Sequence, residues 1–287
     1  MNQPVYEATG YRADWLNAWL AAIGITVAVD GTELSWSNDP VPHARFQRAG
    51  EDFPARIHEH LPTLAQLALS PIARHRDGYP EFPRTVTLNA YRGRVPLERA
   101  ADEPSLSVSV TDLIAPHTKG QSEDNLPHAA FDVTVPKGIT LWQRVSACRG
   151  LIAGPDMVAD SLSGRHPRVK TNGLGFDITR IPSRGDVGAN LVDPVLEVLA
   201  FLALTLFPTR GNGRSATTRG WSDSPSRRGA FKWATWHRPR DRWAIDAWLD
   251  RYHAGRELDQ PANYQTVPYR PVNPIDTTRG YASETVS

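Results

Sequence analysis

The sequence predicts an α+β fold in which antiparallel strands pack against helices. Three observations predict it. Trp15, Leu16, Trp19, Leu20 and Ile23 recur at helical spacing near the N-terminus. Two β-prone runs flank Asp30-Gly31, the strongest short-range hairpin signal. Residues 193–207 are almost wholly apolar behind Asp193 and Pro194, the pattern of a helix buried on most sides.

Taken in order, residues 13–24 form the first helix, with Asp14 in its first turn and Gly24 at the left-handed position after its last. Residues 25–29 and 32–36 are then the two strands of the Asp-Gly hairpin. Asn38-Asp-Pro-Val-Pro is a turn. A helical region follows over 53–69, interrupted at Pro62; its His58 and His60, two apart, do not share a face, which argues against metal ligation. Residues 74–83 read as a loop, 85–91 and 105–114 as strands, 117–127 as a polar loop and 131–135 as a further strand. Residues 142–151 step round by threes and fours as a helix, with Cys148 as a small core residue. Residues 164–188 are rich in Arg, Lys and Gly and read as a connector, with a short alternating strand over 175–181.

The long apolar helix starts with Asp193 as cap and Pro194 at its first position, and Pro208 ends it. Glu197 falls in its first turn, where the helix dipole favours a carboxylate. A last helix spans 240–251, drawing its apolar content from Trp243, Ile245, Ala247, Trp248 and Leu249. After Gly255 the chain is polar and Pro-rich, and 256–287 is expected to form a tail with little packed structure beyond anchors at Tyr264 and Tyr269. The domain reading is a single unit over 1–255, or two halves, 1–164 and 189–255, joined by the basic connector.

A chain of 287 residues with 40% hydrophobic and 22% charged content reads as a globular protein with a sizeable core. The longest apolar run, about 14 residues, falls short of the roughly 20 that span a bilayer. The N-terminal residues carry no secretory pattern, and a single cysteine allows no internal disulfide, so a cytoplasmic setting is expected. The net charge of +1 hides an asymmetry. Residues 1–164 carry an acidic excess of about five, and residues 165–287 a basic excess of about six.

No His-Glu-x-x-His or Gly-x-Ser-x-Gly motif and no His-Asp pair is found, so no catalytic residue is assigned. Asp177, Asp186 and Asp193 are too loosely spaced for a two-metal site. No metal or other cofactor is expected. Arg210-Gly-Asn-Gly-Arg214 lacks the third glycine and the strand-before-helix context of a dinucleotide fingerprint; it reads as a flexible turn between two guanidinium groups.

The basic excess peaks after the apolar helix. Arg210, Arg214, Arg219, Arg227, Arg228, Lys232 and Arg238 are interleaved there with Trp221, Trp233 and Trp236. Cations that track a phosphate backbone beside rings that stack on bases are the means of single-stranded nucleic acid binding. Trp233 and Trp236, three apart, point to opposite faces of a strand, so one can be core while the other is exposed. The candidate stacking rings are Trp221 and Trp236. The alternative is that all three tryptophans pack on the 193 helix.

Two stretches resemble type I-G (formerly I-U) CRISPR-associated proteins. Gly10-Tyr-Arg-Ala-Asp-Trp-Leu-Asn-Ala-Trp-Leu-Ala-Ala-Ile-Gly-Ile-Thr-Val27 is similar to their N-terminal opening. Asp193-Pro-Val-Leu-Glu-Val-Leu-Ala-Phe-Leu-Ala-Leu-Thr-Leu-Phe-Pro, with the Arg-Gly segments after it, is similar to their C-terminal part. The group includes a family described as an extension of the CRISPR helicase-nuclease. The resemblance implies a non-enzymatic subunit or accessory of an antiviral RNA-guided complex, partnered by guide RNA or target DNA and by other effector subunits. Two other classes stand beside it: a protein–protein scaffold linking effector subunits or the helicase-nuclease, and an enzyme on an anionic small substrate with Glu197 or a histidine as acid/base.

Overall fold

The computed structural model describes residues 5–64, 141–171, 173–174, 176, 190–207, 209–211, 216–222, 230–256, 260–268 and 281–286. In chain order these form β1 (Tyr6–Arg12), α1 (Leu16–Ala28), β2 (Glu33–Trp36), β3 (His43–Gln47), α2 (Phe53–His60), α3 (Leu141–Gly150), α4 (Pro155–Ser163), β4 (Val169–Thr171) and β5 (Asn190–Val192). They continue with α5 (Pro194–Ala203), which tightens into a 3-10 turn at Leu204–Leu206, then β6 (Thr209–Gly211), β7 (Ala216–Thr218), β8 (Trp221–Ser222), β9 (Ala230–Ala234), α6 (Arg242–His253), β10 (Asn263–Pro268) and β11 (Tyr281–Val286). The fold is α+β. One sheet has the order β1-β3-β2 and another β11-β10-β9-β8, with two-stranded ribbons β4-β5 and β6-β7; every pairing is antiparallel.

The helix pair α1–α5 lies at the centre. Nearly all of α1 is buried, from Leu16 through Thr26, and α5 is buried along its whole length. Gly24 is where they come closest: a Cβ there would lie 1.8 Å from the Leu199 carbonyl oxygen. Asp193 caps α5 as expected, accepting from the Val195 and Leu196 amides at 3.0 and 3.2 Å. An apolar cluster runs on from this pair, taking in residues from Ala8 to Tyr264 and so from both sides of position 164.

The Asp-Gly hairpin does not form. Ile25, Thr26 and Val27 continue α1, which closes only when the Val29 amide donates to the Ile25 carbonyl. Their β-branched side chains favour a strand locally, but the helix places Ile25 fully inside the core. Gly24 therefore serves a helix crossing rather than a helix end. Gly31, at φ +74, sits in the turn into β2. β2 pairs instead with β3, in register Leu34↔Phe46, so the hairpin lies one element later, across Asn38-Asp-Pro-Val-Pro.

α2 ends at His60, and α3 covers the expected helix with Cys148 fully buried. The expectations at 74–83, 85–91, 105–114, 117–127 and 131–135 lie outside the described residues, as does 175–181 except Phe176. The tail is corrected: β10 is an inner strand between β9 and β11, and Tyr264 stacks on Trp233 at 5.6 Å. In β10 the side chains of Tyr264 and Thr266 are buried and Gln265 alternates outward, a period-two pattern that the neighbouring prolines obscure. Among the described residues no helix is long and apolar enough to cross a membrane.

Gly24→Ala should force α1 and α5 apart, since the obstructing atom is backbone and cannot rotate away. Urea unfolding should show a loss at the upper end of the roughly 1–3 kcal/mol typical of core overpacking. Wild-type stability in this variant would mean that the two helices do not cross at Gly24.

Candidate nucleic-acid interface

The interface must be built from side chains that are free to meet a ligand, and the structure sorts the candidates sharply. β9 sends Phe231 and Trp233 inward and Lys232 outward. The strand ends at Ala234, so alternation does not carry on to Trp236, which also turns in. Trp236 is 0% exposed, and its indole N–H donates to the Leu34 carbonyl at 2.8 Å. Its ring packs 4.6 Å from Trp248, 6.0 Å from Trp36 and 6.4 Å from Trp19. The stacking role expected of Trp236 is therefore replaced by a core role: neither of its faces reaches solvent. Trp221 is half-buried, its ring 5.7 Å from Phe231 and 5.2 Å from Tyr281.

The cations divide in the same way. Arg219 is a structural tie: its guanidinium donates to the Leu206 carbonyl at 2.6 Å, bonds Asp246, and meets Asp250 at 2.7 Å, with only 7% of the side chain exposed. Its charge is matched by two carboxylates of α6, which leaves little for a phosphate. Lys232 is exposed, but its cross-strand row continues through Gln265 to Glu284, so it does not belong to a basic stripe. Arg238 is exposed in the turn before α6. The backbone of Arg210 lies in β6, while its side chain and all of Arg214, Arg227 and Arg228 lie outside the described residues.

An exposed ring beside cations does exist, at a position counted in the apolar content of the last helix. Trp243 is 64% exposed, and the Arg242 guanidinium lies 4.3 Å from its ring centroid. His237, Arg238 and Pro239 are exposed just before it. Arg240 is half-buried, 5.9 Å over Trp248, and exchanges two backbone hydrogen bonds with Leu34 that fix the segment to β2. Asp241 is spent as the cap of α6, accepting from the Ala244 amide at 2.8 Å. The spacing held the signal: Ile245, Trp248 and Leu249 define the buried face of α6, and Trp243 lies about 200° of helical rotation from Ile245.

Glu197 belongs to a closed polar centre between the helices. It is 1% exposed; one carboxylate oxygen accepts from the Asn17 side-chain amide at 2.8 Å and the other from the Leu174 amide at 2.6 Å. Arg144 reaches the same loop, donating to the Leu174 carbonyl at 2.9 Å. Burial pushes the Glu197 carboxyl up from its ordinary 4.5 to about 7, although both hydrogen bonds pull it down. A perturbed acid is thus present, but both its oxygens are engaged by the protein. Among the described residues no group of three or more His, Cys, Asp or Glu side chains could hold a metal ion. No protein-family model matches the chain, and no curated protein matches it.

Glu197→Gln should stabilise the protein at pH 8. The folded-state value exceeds the unfolded one, so the stability this group contributes is greatest below about 4.5 and falls as pH rises towards 7. His253 opposes it: burial first, then the Arg219 charge, lowers its pKa from 6.5 to about 4, so its contribution falls as pH drops through that range. The Gln amide can donate to Asn17 Oδ1, which is buried without a partner, once the Asn17 amide turns over. Thermal melts from pH 5 to 8 should show a gain that grows with pH; a uniform loss would mean that Glu197 is held as a needed anion.

Proposed function

We propose that the protein is a nucleic-acid-binding subunit that engages a single-stranded segment along residues 237–243. The observation that carries this is Trp243, exposed on α6 with Arg242 against its ring and Arg238 in the turn before it. A ring with a cation on one side stacks on a base while the neighbouring cations meet phosphates, and base–aromatic stacking is worth roughly 1–3 kcal/mol per base. The resemblance to type I-G CRISPR-associated proteins supports guide RNA or target DNA as that strand, in company with other effector subunits. The basic surplus of the second half of the chain favours a polyanion over a neutral partner.

Trp243→Ala should weaken binding of a short single-stranded oligonucleotide by about tenfold or more in fluorescence anisotropy. Arg238→Ala with Arg242→Ala should reduce the slope of log affinity against log salt by up to about 1.4, the share of two phosphate contacts. Trp236→Phe should lower stability and leave the affinity of the folded protein unchanged. Affinity untouched in Trp243→Ala, with an unchanged slope in the double variant, would remove this segment from the interface.

A further inference from the structure

The core encloses Glu197 on four sides, and its carboxyl has no ion pair among the described residues. α1 supplies Asn17, an uncharged donor at 2.8 Å. α3 supplies Arg144, a nearby positive charge that favours the carboxylate and whose guanidinium donates to the Leu174 carbonyl at 2.9 Å. It also supplies Cys148, whose thiol is held well above its ordinary range by burial first and then by the Glu197 and Asp193 charges. α5 itself adds Asp193 one turn earlier, a like charge that disfavours ionisation. Asp193 is met in turn by His166 Nδ1 at 2.8 Å and by Ser161 Oγ at 2.6 Å. The fourth side is irregular backbone. There the Leu174 amide donates to Oε2 at 2.6 Å. Gly173, at φ +55, lies so close that a Cβ on it would come within 2.8 Å of Val192 Cγ1 and 3.3 Å of Glu197 Cδ.

These four sides differ in what holds them. α1 and α5 are fixed by their crossing at Gly24, and α3, with Val145 and Cys148 buried, packs against α5. Residues 173 and 174 have no helix to hold them. They follow β4, a strand of three residues that carries exposed Lys170. They are tied down by the Leu174 amide on Glu197, by Arg144 on the Leu174 carbonyl and by the buried Leu174 side chain. Backbone outside regular structure and held by few contacts opens at a lower free energy than the helices beside it. Any path for water to Glu197 therefore runs through these two residues.

We propose that residues 173 and 174 form a proton-sensitive cover over Glu197, shut while the carboxyl is protonated and driven open when it ionises. A neutral acid is at ease in this site. Asn17 Oδ1 is buried without a partner, and the amide, turned over, offers it as an acceptor for the acid proton. An anion there has two donors and no bonded cation, and water solvates it better. Under the shut cover the carboxyl keeps its proton up to about 7; open to water it returns to its ordinary 4.5. The shut form thus binds the proton more tightly. The preference for it is full below 4.5 and is lost as pH rises through 7. The open fraction rises about tenfold between pH 6 and pH 8 and levels off beyond about pH 8. The cover lies apart from residues 237–243 and does not depend on the nucleic-acid reading.

Amide hydrogen exchange of the full-length protein, followed by NMR and corrected for the intrinsic rate at each pH, reads the cover directly. The Leu174 amide should be less protected than those of Leu199 and Ala200 in α5, and its protection should fall about tenfold from pH 6 to pH 8. In Glu197→Gln, which cannot ionise, Leu174 protection should be the same at both pH values and higher than wild type at pH 8. Leu174 protection equal to that of α5 would mean that the site opens only with the whole fold, and overturns the cover. So does protection that stays level from pH 6 to pH 8, or that falls as steeply in Glu197→Gln. Should the variant fail to fold, the wild-type curve still decides: protection that goes on falling well above pH 8 does not follow this carboxyl.

Discussion

The crossing of α1 on α5 is the constraint on which the rest of the structure depends. Two helices whose backbones nearly touch at Gly24 and Leu199 have no room for a side chain at position 24, so the crossing point is sterically fixed. Asn17 of α1 and Glu197 of α5 meet in the same interface, a polar pin inside an apolar seam. A buried polar pair adds little net stability, but a wrong register of the two helices would leave both groups unsatisfied. Apolar contact sets the strength of the crossing, and the pin selects its geometry.

The second layer is aromatic. Trp19 of α1 donates its indole N–H to the Ala234 carbonyl at 3.0 Å, Trp233 of β9 donates to Ala13 at 2.8 Å, and Trp236 donates to Leu34 at 2.8 Å. Each bond joins segments about 200 residues apart in sequence. Large rings supply the apolar area, and their single donors fix which strand lies against which helix. The tryptophan-rich segment near the C-terminus is thus the counterpart of the N-terminal helix, and the C-terminal strands β10 and β11 follow because β9 is held there with an edge to pair.

This explains what the sequence could and could not disclose. α5 was legible in nearly every detail, because its cap, its first-turn proline and its apolar length are all local signals. The Asp30-Gly31 hairpin was not, because local preference at Ile25–Val27 loses to the burial that Ile25 gains in the core where α1 crosses α5. The β10 strand was masked by surrounding prolines, though Tyr264 and Thr266 alternate as they should. Of the basic residues, Arg219 could not be told from a ligand contact, since Asp246 and Asp250 reach it only once α6 is folded. The contact between His166 Nδ1 and the Asp193 carboxylate, at 2.8 Å, carried no signal, because spacing along the chain says nothing about a pair made by tertiary packing. Trp243 was grouped with the apolar residues of its helix, although the spacing of Ile245, Trp248 and Leu249 excludes it from their face.

A basic, tryptophan-rich stretch therefore carries two contradictory messages. Rings that stabilise a fold must be buried, and rings that stack on bases must be exposed, so one segment cannot use all its aromatics for binding. Here the division follows the backbone. Within and just after β9, Phe231, Trp233 and Trp236 are drawn in by three separate neighbours, α1, β2 and α6. Past the point where Arg240 bonds back to Leu34, the chain is anchored, and Asp241 starts a helix whose apolar face is already filled by Ile245, Trp248 and Leu249. Trp243 is the first ring after that anchor for which the core has no place. Its exposure is a consequence of how α6 is seated, and the proposed stacking role would draw on the rigidity of that seat: a ring held by a capped helix loses little conformational entropy when a ligand arrives.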